Sequence, residues 1–117
     1  MLTFAANVRM YLHARPTDMR KSFDGLCALV RGVFQADPLD GSLFLFVNRR
    51  GDRLKAMWWD RDGLAVFYKR LEAGTFEMLR PEGEKATVEI DATELAMLLS
   101  GVSLASAKRR KRYRRAG

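Results

Sequence analysis

The stretch from Leu43 to Leu71, LFLFVNRRGDRLKAMWWDRDGLAVFYKRL, constrains the fold of this chain more than any other. It holds three apolar, β-prone segments, Leu43–Val47, Leu54–Trp59 and Leu64–Leu71. The links between them, NRRGDR and DRDG, are short, polar and contain glycine. Links this short join neighbouring antiparallel strands, because a parallel return needs a crossover of a dozen residues or more. An antiparallel meander is therefore expected. The first segment, LFLFV, is apolar at every position. A strand of that kind is covered on both faces, so it should be central.

Residues 7–14, NVRMYLHA, alternate, with Val8, Met10 and Leu12 on one face. They predict another strand, stopped by Pro16. Thr17 is placed as a helix N-cap, with Asp18 suited to the positive end of the helix. Met19, Phe23, Leu26, Val30, Val33 and Phe34 then recur at helical spacing. Cys27 lies beside that stripe and reads as a small buried hydrophobe. Gly25 weakens the helix by ~1 kcal/mol relative to alanine, so a close approach is expected there. DPLDGS (37–42) is a loop. Thr75–Leu79 and Thr87–Ile90 are read as shorter strands. Asp91 and Glu94 have capping-box spacing, with Leu95, Leu98, Leu99 and Val102 as the apolar side of a second helix. Gly101 marks its end. The expectation is one α+β domain over 1–107. It comprises an antiparallel sheet of four or five strands and two main helices, followed by a basic C-terminal tail.

Charge separates the two parts. The 117 residues carry 21 Lys+Arg against 14 Asp+Glu, a formal net charge of +7. KRRKRYRR, residues 108–115, supplies seven of the cations and none of the acids. Without it, residues 1–107 hold 14 of each. The sequence pI of about 10.1 thus describes a neutral body with a cationic arm. Seven like charges in eight residues repel one another, so 108–117 is expected to be disordered alone.

Several classes are disfavoured. No run of about 18 apolar residues suggests a membrane span. The start, MLTFAANVRMYLHARP, lacks the pattern of a secretory signal. A single cysteine cannot form an internal disulfide and fits a reducing cytoplasm. With one histidine, His13, and one cysteine, a Cys/His zinc site within one chain is excluded. No cofactor is expected. Asp60 and Asp62 could in principle hold Mg²⁺ as a carboxylate pair. Their place in a turn makes backbone hydrogen bonding the commoner role. The adjacent tryptophans point to opposite faces of a strand, so they cannot form one stacking surface. Trp58 is read as core. Trp59 shares its face with Lys55 and fits either a core position or a partly exposed aromatic on a binding surface.

The arm carries the strongest functional signal. Lys108, Arg109, Arg110, Lys111, Arg112, Arg114 and Arg115 would be neutralised by nucleic-acid phosphates. If all made contact with duplex DNA, the logarithmic salt slope would approach about −6. The alternative is a solvated tail that promotes solubility. Arg49, Arg50 and Arg53 form a second, smaller cluster around the Gly51-Asp52 turn, and serve as candidate auxiliaries.

TDMRKSFDGL (17–26), the segment 43–76 and ELAMLLSGVSLASAKRRKRYRR (94–115) resemble, in this order, the TnpB accessory proteins of the insertion sequence 66 family. These are distinct from the RNA-guided nucleases that share the name. The resemblance implies a bacterial transposon protein acting beside a separate transposase and a small companion protein. It transfers no catalytic residue. The leading expectation is a non-enzymatic, cytoplasmic accessory factor that binds DNA phosphates with low sequence specificity. The alternative is a protein–protein adapter that docks the transposase without binding DNA. An enzyme using Asp60 and Asp62 is the third reading.

Overall fold

The computed structural model describes residues 4–78 and 83–102. Five strands form one mixed sheet: β1 (Met10–His13), β2 (Leu43–Val47), β3 (Arg53–Asp60), β4 (Gly63–Arg70) and β5 (Thr87–Ile90). Their spatial order is β4-β3-β2-β1-β5. The predicted meander is present, with β2, β3 and β4 paired antiparallel. The all-antiparallel expectation needs one correction, because β1 and β2 run parallel with Met10 opposite Leu43. A helical crossover joins them, and that is the connection that permits a parallel pair. On its other side β1 pairs antiparallel with β5.

The central strand β2 is buried at all five residues, because a helix covers each face. Helix α1 (Phe23–Leu29) runs into a π-helical turn, Val30–Phe34. Its Leu26, Cys27 and Val30 pack with Phe44, Phe46 and Met57. Helix α2 (Ala92–Ser100) covers the opposite face. There Leu95 and Leu98 meet Met10, Leu12, Leu43, Leu45, Val47, Leu54 and Ala56. Alternation along β2 thus splits its side chains between two cores. The predicted capping box closes α2: Asp91 Oδ1 accepts from Glu94 N at 2.7 Å, and Glu94 Oε1 accepts from Asp91 N at 3.1 Å. Gly101 ends it in the left-handed conformation, φ 79°.

The start of α1 differs from expectation. Its N-cap is Ser22 rather than Thr17, with Leu26 N donating to Ser22 O at 2.8 Å. Thr17 is buried, and its main-chain N donates to Val47 O at 2.8 Å. Residues 16–22 are thereby a loop laid on the sheet. Met19 packs on the core from that loop, while Phe23 at the head of the helix is exposed. A Cβ on Gly25 would lie 3.1 Å from Lys21 Cβ, so this glycine does allow the loop and helix to pack closely. Residues 75–78 are not a strand, and Leu79 lies outside the described residues. The whole basic tail, 108–117, also lies outside them.

Candidate nucleic-acid interface

The strand register decides where the charged loops go. His13 and Val47 end the parallel strands β1 and β2, so the segments that follow them emerge at one end of the sheet. Arg53 of β3 pairs with Arg70 of β4 at that same end. Thr87 of β5 pairs with His13 there as well. Segments 14–22, 48–53, 70–76 and 83–87 therefore crowd together. They carry Arg15, Arg20, Lys21, Arg49, Arg50, Arg53, Arg70 and Lys85, with Lys69 beside them.

Four acids, Asp18, Asp52, Glu72 and Glu84, lie in the same segments, so cations are in excess at this end and the compensating acids lie elsewhere. Asp37, Asp40, Asp60, Asp62 and Asp91 flank the other ends of the strands. Most of these have backbone-structuring roles. Asp37 Oδ1 accepts from Leu39 N at 2.9 Å, Asp40 Oδ1 accepts from Ser42 N at 2.8 Å, and Asp91 caps α2. Glu89 is engaged by Arg9 at 3.0 Å, and that guanidinium holds its carboxyl below the usual range. The two ends are separated by the length of β3, about 26 Å for an eight-residue strand. That exceeds the Debye length of about 8–10 Å at ordinary ionic strength. A body with no net charge thus presents a cationic end and an anionic end.

Arg49, Arg50 and Arg53 line an open groove of about 640 Å³ with Pro16, Thr17, Asp18, Met19, Arg20 and Asn48. The two most distinctive motifs of the sequence, TDMRKSF and NRRGDR, are therefore its two walls. Asn48 shapes the arginine turn. Its Oδ1 accepts from Arg53 N at 3.0 Å, and its Nδ2 donates to Asp52 Oδ1 at 2.8 Å. That side-chain bond, with the charges of Arg50 and Arg53, lowers the Asp52 pKa. Gly51 turns the chain at φ 77°, and Phe76 N donates to Gly51 O at 2.7 Å. Asp18 grips Arg20 at 2.7 Å, and this contact pulls its carboxyl down to about 2. Among the described residues, Arg49, Arg50 and Arg53 form no ion pair.

Lys55 joins the walls from beneath. It is 7% exposed, and its Nζ donates to Met19 O at 2.8 Å and to Lys21 O at 2.7 Å. The same nitrogen lies 4.7 Å from the centre of the Tyr68 ring. His13 supports the groove floor, with Nδ1 3.2 Å from Thr17 Oγ1 and its ring against Phe34 and Phe46. Sequence reasoning selects Arg49, Arg50 and Arg53 and sets Arg20 and Lys21 aside as offset by Asp18 and Asp24, but misses Arg70, Lys55 and Tyr68 as their neighbours. Only the strand register brings these together. Trp58 is half-buried in the α2-side core, edge-on to Phe4 at 5.2 Å. Trp59 is half-buried on the Lys55 face. Asp60 and Asp62 sit at the β3–β4 hairpin, at the opposite end from the groove.

A family model described as IS66 Orf2 like protein matches residues 8–109. The chain belongs to the IS66 Orf2-like family. Two relatives from Sinorhizobium fredii share its length. The uncharacterized protein y4hO is 40% identical over 102 residues, covering 87% of each chain. The uncharacterized protein y4jC is 31% identical over 110 residues, covering 94% of this chain and 92% of the relative. No solved structure matches the chain. Membership in the IS66 Orf2-like family associates this protein with the transposition machinery of an insertion sequence, in an accessory role. No helix among the described residues is long and apolar enough to cross a membrane.

Proposed function

We propose that this protein is a non-enzymatic, cytoplasmic accessory factor of transposition that holds DNA by its phosphates. The cationic end of the sheet supplies one contact surface, through Arg49, Arg50 and Arg53. The arm Lys108–Arg115 supplies the other. The observation that carries this reading is the charge segregation of a body with no net charge. The arginines of the NRRGDR turn line an open groove and form no ion pairs among the described residues. Phosphate contacts position a protein without reading bases, so sequence preference should be low. The transposase of the same element and its small companion protein are the expected protein partners.

An adapter acting without DNA draws less support. Phe67 packs against the core and Trp59 is half-buried, so neither offers a wide apolar patch. The test is binding to duplex DNA across a salt series, by the full chain and by residues 1–107. The expected result is measurable binding by both, with the slope of log K against log salt shallower after truncation. No binding by either at low salt would remove the DNA reading. Transposase capture by 1–107 would then favour the adapter.

A further inference from the structure

Tyr68 stands at the margin of the cationic groove. It lies on β4, the edge strand of the sheet, and is 49% exposed. Its ring is held from two directions. Arg53 Nη1 donates to its hydroxyl at 3.3 Å, and Lys55 Nζ lies 4.7 Å from the ring centre. Arg53, Tyr68, Arg70 and Glu72 line a depression of about 360 Å³, in which Arg70 Nε donates to Glu72 Oε2 at 2.9 Å. Arg53 also lines the larger groove, so the two concavities adjoin. Tyr68 and Arg70 project from the same face of β4, about 7 Å apart along the strand.

An oriented, exposed aromatic ring beside the Arg53 guanidinium and the Lys55 ammonium, at the end of a cationic groove, is suited to a nucleic-acid strand with an unpaired base. Duplex DNA offers its phosphates and the edges of its bases, but the faces of its bases are stacked. A base face becomes available to an aromatic side chain only when the base is unpaired. Stacking combined with a backbone-tracking cationic groove is the general solution for single strands.

We propose that Tyr68 is a stacking platform for an unpaired base of single-stranded DNA, whose flanking phosphates lie on Arg53 and the Arg49-Arg50 turn. This rests on the DNA-binding reading and narrows it. The protein would prefer single strands or frayed ends over continuous duplex.

The test uses the full chain with Tyr68→Ala, Tyr68→Leu and Tyr68→Phe. Tyr68→Leu preserves bulk on the strand should alanine loosen the edge. Binding is measured to an oligonucleotide of about 20 nucleotides, single-stranded or as duplex. Tyr68→Ala and Tyr68→Leu should weaken single-strand binding by about fivefold or more, leaving duplex binding within about twofold. Tyr68→Phe keeps the ring and should stay close to the parent on both. Equal losses on single strand and duplex, or no loss on either, would overturn the stacking role. In those cases the DNA reading survives if Arg49→Ala/Arg50→Ala still weakens duplex binding. Absence of binding by the parent chain to either form would overturn both.

Discussion

Lys55 Nζ, buried in the middle of β3, donates to the main-chain oxygen of Met19 at 2.8 Å, across 36 residues of sequence. The bond fastens the loop after β1 to the strand that follows the arginine turn. Together with the bond from Thr17 N to Val47 O, it holds the two walls of the cationic groove in place.

Lys55→Met keeps the aliphatic stem and removes the donor. The oxygens of Met19 and Lys21 are then left without their buried partner. The expected loss of stability is about 1–3 kcal/mol, the usual scale for bonds from a charged donor. Segment 16–22 should loosen, and limited trypsin digestion should cut after Arg20 or Lys21 sooner than in the parent. Unchanged melting and unchanged cleavage would show that the loop is held by other means.

Gly51→Ala should destabilise the arginine turn. The backbone there has φ 77°, a conformation that costs an L-residue roughly 1–2 kcal/mol. A Cβ would also lie 3.2 Å from Thr75 Cβ. Chemical denaturation should show a lowered midpoint with an unchanged slope. A midpoint equal to the parent's would contradict the turn geometry.

His13 makes folding sensitive to mild acid. Burial, with a smaller contribution from Arg15, lowers its pKa below the ordinary value of 6.5. The unfolded chain therefore takes up the proton at higher pH than the folded one. The stability tied to neutral His13 is complete above pH 6.5 and falls as pH drops from there towards the folded value. Melting temperature should decline over that interval, and His13→Gln should flatten this part of the decline. The same decline in the variant would assign it to other groups.

Cys27 is 7% exposed, and burial pushes its thiol pKa up. Alkylation by iodoacetamide at neutral pH should be slow in the folded protein and rapid in denaturant. Fast modification without denaturant would contradict the packing of α1 on the sheet.

Much of the fold is legible in the sequence because local signals agree with the global arrangement. LFLFV, apolar at every position, is central and covered on both faces. The glycine-bearing links form antiparallel hairpins, and Asp91 and Glu94 close a capping box. The parallel pairing of β1 with β2 is not legible. No periodicity records which neighbour a strand chooses after a helical crossover. Thr17 has the chemistry of an N-cap, but Val47 O and His13 engage it instead, a tertiary choice that local preference does not contain. The groove is half legible. Arg49, Arg50 and Arg53 stand out as a run, whereas Arg20 and Arg70 join them only through strand register. Formal charge counting conceals the polarity, because the totals cancel while one end of the sheet holds an excess of cations and the other an excess of acids. The candidate arm, Lys108–Arg115, rests on sequence alone.

The central claim is that the cationic end of the body contacts DNA phosphates. Its most direct test is the salt dependence of duplex binding by the full chain, by Arg49→Ala/Arg50→Ala, and by Arg31→Ala as a control. Arg31 is exposed on the π-helical turn, which leads away from the groove end. The double variant should bind more weakly, and its logarithmic salt slope should shrink by about one to two units, near 0.9 for each phosphate no longer neutralised. Arg31→Ala should match the parent. An unchanged slope in the double variant, or an equal change in the control, would contradict the claim.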